Sequence, residues 1–433
     1  MVVGVDVGSS SARAVAIDRN GQVHGSAKVA YAGADKWTTG HADPRAWRAA
    51  VDAAVFEVLA GIPVPPAALA VGGQSVCVVR SDGTDALTVM HPSANDSDTK
   101  RAHLAMWAIL ERPGLLPFQC WDWILHSMGA PHRQGHWQAE RELDGFGPVV
   151  PTGTVVGAAG PGAPVPEGTP LVPGAVDAYM AFWAAGIDRP GLALDPGGRT
   201  GGIGVAVPSR PDEPSGYSLR SAASDVDIVG GAVSAHGLAL EWWSAMTGRT
   251  VEESLAGAAT APAGARGVLL LPYLEGERSP RWNPDLRGEI YGLTSSSSPD
   301  DVARAVLEAA AFGLRHIVDS VAAQGAHLDL LVVAGSPAKS RLWSQIKADV
   351  LGVPVGMSTI ADLAAFGTAL AAGAALGWWP APGKGPSGSW PTVPRTVIEP
   401  HPDPLYDEAY AQWRALGDAA ERRLTERMEA AQP

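Results

Sequence analysis

The sequence predicts an α/β protein of two domains, and three observations lead to that prediction. Valine-rich runs typical of buried strands recur along the chain, beginning with Val2–Val7 and residues 12–17. Amphipathic helical patterns alternate with these runs. Two short turns of small residues, at 8–11 and 197–202, are each followed directly by a strand. This repetition suggests two similar domains that face each other.

Length and composition exclude several classes of protein. The 433 residues suffice for two or three domains, and the net charge of −13 argues against nucleic acid as a partner. Cys77 and Cys120 are too few for a disulfide framework or a paired zinc motif, which fits a reducing compartment. Because the N-terminus also lacks the basic segment of a signal peptide, we expect a cytoplasmic location.

One segment, residues 363–382, carries no charge and is about long enough to span a bilayer. Its residues are mostly Ala and Gly rather than Leu and Ile, and Trp378, Trp379 and Pro380 lie near its end. No other stretch of the chain offers it a partner inside a membrane. We therefore predict a buried helix and no membrane contact.

The first turn consists of Gly8, Ser9, Ser10 and Ser11. The backbone N–H groups and hydroxyls of such a turn can point at one anion, as they do in turns that hold phosphate. Asp6 lies beside the turn, near the end of the preceding strand. A carboxylate next to a bound phosphate needs a cation between them, so Mg²⁺ is the expected metal. A plain β-hairpin with a serine-rich turn is the alternative explanation of the same residues.

Helices are predicted where a capping residue precedes apolar residues at helical spacing. Asp43 precedes Pro44 and a series of apolar residues at four-residue intervals. Ser298 opens a start that resembles a capping box, and Asp403 opens a last helix whose apolar face extends to Met428. The predicted helices cover about residues 44–59, 103–110, 176–183, 298–323, 340–351 and 404–428, the further strands residues 22–31, 67–73, 77–80, 203–207 and 330–334, and the loops residues 151–174 and 378–394.

The second turn contains Arg199, Thr200 and Gly201 and runs directly into the strand at residues 203–207. Its small residues and its hydroxyl repeat the chemistry of the first turn. A glycine-rich turn that arose by chance is the alternative. Neither turn is a Walker loop, because the pattern G-x-x-x-x-G-K-[ST] occurs nowhere in the chain. We predict that this turn also binds phosphate.

Four separated stretches resemble one family, the FGGY carbohydrate kinases. DVGSSSARAVAID at the start resembles the first phosphate motif of that family, and GGRTGG its second phosphate turn. LVPGAVDAYMA resembles the segment that carries the catalytic aspartate. The longest match, LPYLEGERSPRWNPDLRGEIYGLT at residues 271–294, is similar to the family signature almost throughout. The stretches follow the family's order, and the resemblance covers the chain except for about residues 102–150.

The resemblance implies the actin-like ATPase fold, also called ribonuclease H-like, with two α/β domains around a central cleft. Residues 1–185 are expected to form the sugar and phosphate side, and residues 186–433 the nucleotide side. The implied activity is transfer of the γ-phosphate of ATP to a hydroxyl of a small sugar or polyol, with a ketopentose such as xylulose foremost. ATP and Mg²⁺ are the implied cofactors, the small-molecule sugar or polyol is the implied partner, and a homodimer is left open.

The resemblance also implies roles for individual residues. Asp177 is expected to be the general base that accepts the proton of the sugar hydroxyl, its alternative being a helix N-cap or a buried ion-pair partner. Arg13 is expected either to face phosphate or to pair with a carboxylate, and Glu277 and Arg278 are expected to be structural. The implied phosphate and nucleotide ligands are Asp6, Gly8, Ser9, Ser10, Ser11, Arg13, Thr200, Gly201, Gly335, Ser336 and Ala338, with Asp6 also holding Mg²⁺, and the implied sugar ligands are Gln74, Asp98 and Asp177.

Some positions depart from the family pattern. The adenosine turn, which usually carries three glycines, reads Gly335-Ser336-Pro337, and a proline removes one backbone donor and fixes φ. Gln74 is not followed by the Met-His pair that many members carry, and the chain is short between residues 101 and 151. These departures define the alternative function, a catalytically impaired member that binds a sugar or a nucleotide as a regulator.

Overall fold

The computed structural model describes most of the chain and divides it into two compact units. The first unit comprises residues 1–188 and 362–393 with Arg220, and the second comprises the rest of the described chain up to residue 430. The contiguous division expected at residue 185 stays a prediction, and the structure adds that residues 362–393 pack with the first unit. The described residues are 1–33, 41–74, 77–80, 82–84, 86–88, 117–131, 134–135, 149–209, 217–220, 226–323, 325–335, 337–381, 385 and 388–430.

Strands and helices alternate along the described chain. The strands are β1 (Val2–Val7), β2 (Ser11–Ile17), β3 (Val23–Ala30), β4 (His41–Ala42), β5 (Leu69–Gly73), β6 (Cys77–Arg80), β7 (Ala86–Thr88), β8 (Pro117–Phe118), β9 (Gln134–Gly135), β10 (Val149–Val150), β11 (Gly157–Ala158), β12 (Pro170–Val176), β13 (Leu192–Asp195), β14 (Gly201–Val207), β15 (Tyr217–Arg220), β16 (Asp227–Val233), β17 (Leu269–Leu271), β18 (Glu289–Tyr291), β19 (Leu330–Val333), β20 (Val355–Ser358) and β21 (Arg395–Ile398). The helices are α1 (Pro44–Leu59), α2 (Cys120–Ser127), α3 (Asp177–Ala185), α4 (Gly237–Thr247), α5 (Val251–Ala258), α6 (Pro299–Ala322), α7 (Arg341–Leu351), α8 (Leu363–Ala375) and α9 (Pro404–Ala430), with 3₁₀ turns at Ala263–Gly267 and Pro337–Lys339.

A six-stranded sheet forms the centre of the first unit, in the order β11-β12-β5-β1-β2-β3. β1 pairs antiparallel with β2 and parallel with β5, and β5 lies parallel to β12. The side chains of β1 and nearly all of those of β2 are buried, as their valine-rich sequences predict. A smaller sheet of β4, β7, β6 and β8 belongs to the same unit.

A seven-stranded sheet forms the centre of the second unit, in the order β15-β16-β14-β13-β19-β20-β21. β13 pairs antiparallel with β14 and parallel with β19. This is the arrangement that β1 has with β2 and β5 in the first unit, so a glycine turn follows the corresponding strand in each unit. The predicted repetition of a strand, a small-residue turn and a second strand is confirmed.

The capping signals in the sequence mark true helix starts. Ser298 Oγ accepts a hydrogen bond from the N–H of Asp301, and Asp301 Oδ2 accepts one from the N–H of Ser298. Asp43 Oδ1 accepts the N–H of Arg45 at the start of α1. The predicted helices beginning near residues 44, 177, 299, 341 and 404 are therefore confirmed, while the helix predicted near residues 103–110 lies outside the described residues.

Two predicted loops and one predicted apolar face need correction. Within residues 151–174, β11 and the start of β12 join the first sheet, and the pairing of β12 with β5 shifts register between Pro173 and Val176. Within residues 378–394, the side chains of Trp379 and Trp390 are buried, so this segment is not a surface loop throughout. Met428 is 54% exposed and lies beyond the buried part of α9.

Residues 363–375 form the predicted buried helix, α8. Among the helices in the described ranges, none combines the length and the apolar composition that crossing a bilayer requires. α8 packs directly against β1, since a Cβ atom on Gly4 would lie 2.0 Å from the backbone N of Ala369.

Replacing Gly367 with alanine is expected to lower the free energy of unfolding by about 1–3 kcal/mol or more. A Cβ atom at this position in α8 would lie 1.9 Å from the carbonyl oxygen of Met180 in α3, so the two helices would have to separate. Urea unfolding followed by circular dichroism measures the change. Gly61→Ala is the control, because nothing lies within 4 Å of its added Cβ. Equal midpoints for the two variants would contradict the close packing of α3 on α8.

Candidate active site

The candidate site in the first unit is centred on Asp6 near the end of β1. Asp6 is buried, and Arg13 lies opposite it in the β1–β2 register. Arg13 Nη1 donates to Asp6 Oδ2 at 3.1 Å, and Arg13 Nε lies 3.2 Å from Asp362 Oδ1 at the start of α8. The carboxylate pairing expected as one option for Arg13 is therefore present, and its contact with phosphate stays a prediction.

The burial and the raised pKa of Asp6 are those of a carboxylate that can bind a cation. Its Oδ1 atom is buried and has no hydrogen-bond partner among the described residues. Burial and the negative charge of Asp177 raise the pKa of Asp6 to about 7, although Arg13 acts in the opposite direction. A cation at Oδ1 would restore the ionised form and satisfy this oxygen.

Asp177 is the first residue of α3, directly after β12. It is half-buried, and its Oδ1 accepts the N–H of Ala178 at 2.7 Å. Burial raises its pKa, opposed by the Ala178 hydrogen bond and by the charge of Arg13. The N-cap residue of α3 is Val176, so the alternative of Asp177 as the N-cap is wrong.

The turn after β1 is closed by its own backbone. The N–H of Gly8 donates to the carbonyl oxygen of Ser11 at 3.1 Å, and Tyr31 Oη donates to the carbonyl oxygen of Gly8 at 2.8 Å. Ser9 and Ser10 are exposed, whereas Ser11 Oγ is buried without a hydrogen-bond partner among the described residues. This hydroxyl and Asp6 Oδ1 are the hard oxygen donors that Mg²⁺ prefers, so the residues present fit that metal.

Gln74 follows β5, which lies beside β1. Its N–H donates to the carbonyl oxygen of Val7 at 2.9 Å, and its side chain is buried. The thiols of Cys77 and Cys120 contact the Gln74 carbonyl oxygen and are not joined in a disulfide. The structure thus places Gln74 beside the end of the strand that carries Asp6. Asp98 and Ser336 lie outside the described residues, and their predicted roles are not addressed by the structure.

The second unit brings the remaining predicted nucleotide ligands together. Thr200 is exposed in the turn between β13 and β14, and Gly201 is buried at the start of β14. Gly335 has a φ of +64°, and a Cβ atom there would lie 3.1 Å from the carbonyl oxygen of Pro196. Ala338 lies in the 3₁₀ turn that follows. Gly335 therefore lies beside the turn at residues 196–201 within this unit.

Glu277 has the structural role expected from the sequence. It is buried, and its Oε1 accepts the N–H groups of Ser234 and Arg278 at 3.0 and 2.7 Å. Burial raises its pKa to about 7, against these hydrogen bonds. Glu277 thereby ties residues 271–294 to the end of β16.

Sequence reasoning missed Asp362 and Asp195. Asp195 ends β13 two residues before Gly197, just as Asp6 stands two residues before Gly8. That parallel between the two glycine turns is the signal that could have identified Asp195. Asp362 stands alone before an apolar helix, and nothing in the sequence links it to Arg13.

Within the chain, residues 217–376 match the model of the C-terminal domain of the FGGY family of carbohydrate kinases. A glycerol kinase from Gloeobacter violaceus is 39% identical over 212 residues, which are 47% of this chain and 42% of that protein. The chain spans less than half the length of the curated relatives it matches.

The fold has close counterparts among solved structures. The xylulose kinase from Rhodospirillum rubrum matches with a TM-score of 0.76 and 24% identity over 97% of this chain and 99% of that one. The Plasmodium falciparum glycerol kinase with ADP matches with a TM-score of 0.78 and 15% identity over 97% of each chain. At these identities the likeness shows the fold, and it confirms the predicted α/β class of the actin-like ATPase type.

Proposed function

We propose that the chain, whose residues 217–376 match the FGGY family of carbohydrate kinases, is a kinase of this type that transfers the γ-phosphoryl group of ATP to a hydroxyl of a small sugar or polyol. One observation carries the proposal. Asp6 and Asp177 both have raised pKa values, and the charge of Asp177 contributes to the raised pKa of Asp6, which lies beside a turn suited to phosphate.

Asp177 is the proposed general base. Its pKa is raised and is therefore nearer to physiological pH than that of a surface aspartate, which makes the carboxylate a stronger proton acceptor. In its ionised form it accepts the proton of the attacking hydroxyl as the oxygen bonds to phosphorus. The bond from phosphorus to the bridging oxygen breaks, and ADP leaves with that oxygen.

The phosphates of ATP are proposed to bind at the two glycine turns, through residues 8–11, Arg13, Thr200 and Gly201. Asp6 and Ser11 would hold Mg²⁺, which when bound neutralises charge on the phosphates. Gly335, Ser336 and Ala338 are proposed to border the adenosine. Pro337 opens a 3₁₀ turn, a position where the missing N–H removes no helical hydrogen bond, so the departure from three glycines is compatible with this role.

The acceptor is proposed to contact Gln74, Asp98 and Asp177. A ketopentose such as xylulose is the acceptor that the family resemblance implies, and glycerol is the one suggested by the sequence relatives. A cytoplasmic location and assembly into a homodimer complete the proposal. The regulator alternative predicts binding of a sugar or of ATP without turnover.

An ADP-release assay across glycerol, xylulose, gluconate and related polyols tests the proposal. We expect ADP release that depends on one acceptor, with a kcat of about 1–100 s⁻¹, the usual range for kinases. Mass spectrometry of the product should show a phosphorylated acceptor. ADP release at the same rate with and without every acceptor would overturn the kinase function. Tight acceptor binding without any release would favour the regulator.

A further inference from the structure

Beside the second glycine turn lies a group of fully buried ionisable side chains, the Lys347 cluster, made of Asp195, His236 and Lys347. Lys347 Nζ lies 2.5 Å from Asp195 Oδ2 and 3.1 Å from His236 Nε2. The ring of Trp343 stacks on His236 with 5.0 Å between ring centroids. Because all three ionisable groups have no exposed surface, none of them is positioned to contact a ligand itself.

Two members of the cluster, Asp195 and His236, hold the backbone of the second turn in place. Asp195 Oδ1 accepts the N–H of Gly197 at 2.8 Å. The N–H of His236 donates to the carbonyl oxygen of Arg199 at 2.9 Å. A Cβ atom on Gly201 would lie 2.5 Å from the His236 ring, so the strand after the turn rests directly on that ring.

The same cluster reaches the neighbouring turn. The backbone carbonyl oxygen of Asp195 accepts the N–H of Ala334 at 3.0 Å, immediately before Gly335. Gly335 in turn approaches the carbonyl oxygen of Pro196. Both turns proposed to bind the nucleotide therefore depend on the position of Asp195.

Near neutral pH the cluster contains one ion pair and one neutral imidazole. Burial raises the pKa of Asp195, but the charge of Lys347 and the hydrogen bonds from Lys347 and from the N–H of Gly197 together keep that pKa below its ordinary value. Burial and the charge of Lys347 lower the pKa of His236 to about 4, so the imidazole is neutral. Burial lowers the pKa of Lys347, and the Asp195 carboxylate acts in the opposite direction by pairing with the ammonium group in a buried ion pair. Replacing a buried ion pair with apolar side chains often leaves the stability of a protein unchanged. We therefore expect this ion pair to serve the geometry of the turn rather than the stability of the fold.

We propose that Asp195 and Lys347 are positioning residues that hold the turn at residues 197–201 in the conformation that binds the phosphates of ATP. Lys347 fixes the carboxylate of Asp195, and that carboxylate fixes the N–H of Gly197. This inference rests on the proposed function, because it takes ATP as the ligand of the turn.

The test compares two double variants that differ in whether residue 195 carries an oxygen that can accept a hydrogen bond. Asp195→Asn with Lys347→Met removes both charges but retains an oxygen for the Gly197 N–H. Asp195→Leu with Lys347→Met removes that oxygen as well. We expect calorimetry to show ATP binding within about threefold of wild type for the first and weaker by about tenfold for the second, the usual effect of one buried hydrogen bond.

Lys347→Met alone leaves the Asp195 carboxylate buried without its cation and is also expected to weaken ATP binding by about tenfold. The matched control is Arg304→Met, which breaks the buried ion pair between Arg304 Nε and Glu308 Oε1 in the same unit. We expect this control to unfold at a lower temperature but to bind ATP like wild type. In the positioning variants that fold, KM for ATP should rise while KM for the acceptor changes little.

Equal ATP affinity of the two double variants would overturn the inference. So would weaker ATP binding in Arg304→Met by the same factor as in Lys347→Met, because that result would indicate general destabilisation. Wild-type protein that binds ATP but phosphorylates no acceptor would overturn the proposed function and leave the inference standing. Absence of ATP binding by wild type would overturn both.

Discussion

An asparagine in place of Asp177 is expected to lower kcat by about 10²–10⁴-fold, the usual contribution of a general base. The amide is nearly isosteric and keeps an oxygen for the N–H of Ala178, but it does not accept a proton at neutral pH. ATP affinity, measured by calorimetry, should therefore stay close to that of wild type. Turnover is measured by ADP release with the best acceptor.

The pH profile gives an independent check on Asp177. Because burial raises its pKa, the wild-type rate should increase with pH through a value above the ordinary range of an aspartate. With Mg²⁺ at saturating concentration, so that Asp6 stays ionised, this increase should be absent from the residual rate of Asp177→Asn. Asp52→Asn is the control, since Asp52 is a partly buried aspartate of the same unit that pairs with Arg48. Wild-type kcat in Asp177→Asn would remove Asp177 from the chemistry.

Asp6→Asn is expected to abolish the response to Mg²⁺ while stabilising the metal-free protein at pH 8. The pKa of Asp6 is about 7 in the folded chain and 3.8 in the unfolded chain. The folded state therefore binds more protons between these values, and the contribution of Asp6 to stability falls as the pH rises from about 4 to about 7. Above pH 7 the buried charge costs about 1–4 kcal/mol, which the amide removes.

Thermal unfolding with and without Mg²⁺ measures this prediction. Mg²⁺ should raise the Tm of wild type more at pH 8 than at pH 5, and it should leave Asp6→Asn unchanged. Turnover should fall by at least about 10²-fold, since phosphoryl transfer depends on charge neutralisation. A metal response in Asp6→Asn equal to that of wild type would exclude Asp6 as a ligand.

Asp18→Asn is the control for the effect of pH, because its expected effect has the opposite sign. Burial raises the pKa of Asp18, but hydrogen bonds from His24 and from the N–H groups of Asn20 and Gln22 together keep that pKa below its ordinary value. Its contribution to stability is therefore present at neutral pH and is lost as the pH falls. Asp18→Asn should lower the Tm at pH 8, where Asp6→Asn raises it.

The parts of the fold that the sequence predicts are those specified by local chemistry. The β1–turn–β2 unit follows from two valine-rich runs around Gly8, and α6 follows from the capping box at Ser298. In each case the determining residues lie within a few positions of one another. The same holds for the strand after Thr200.

The parts that the sequence does not predict depend on contacts between distant residues. Pro173 and Gly174 suggest a loop in the sequence, but they lie in β12, whose pairing with β5 shifts register between Pro173 and Val176. Trp390 is buried because it packs on Trp183, 207 positions earlier. Lys347 gives no local sign of its pairing with Asp195, 152 positions away. Such pairings arise from tertiary structure alone, so composition and spacing do not reveal them.

The return of residues 362–393 to the first unit has a consequence for how the protein is made. During synthesis the ribosome releases β1 and β2 long before it releases α8, which covers Gly4 of β1 and supplies Asp362 to Arg13. Nascent chains shorter than about 390 residues therefore present an incomplete first unit with uncovered apolar surface. Such chains should engage chaperones until the last part of the first unit emerges.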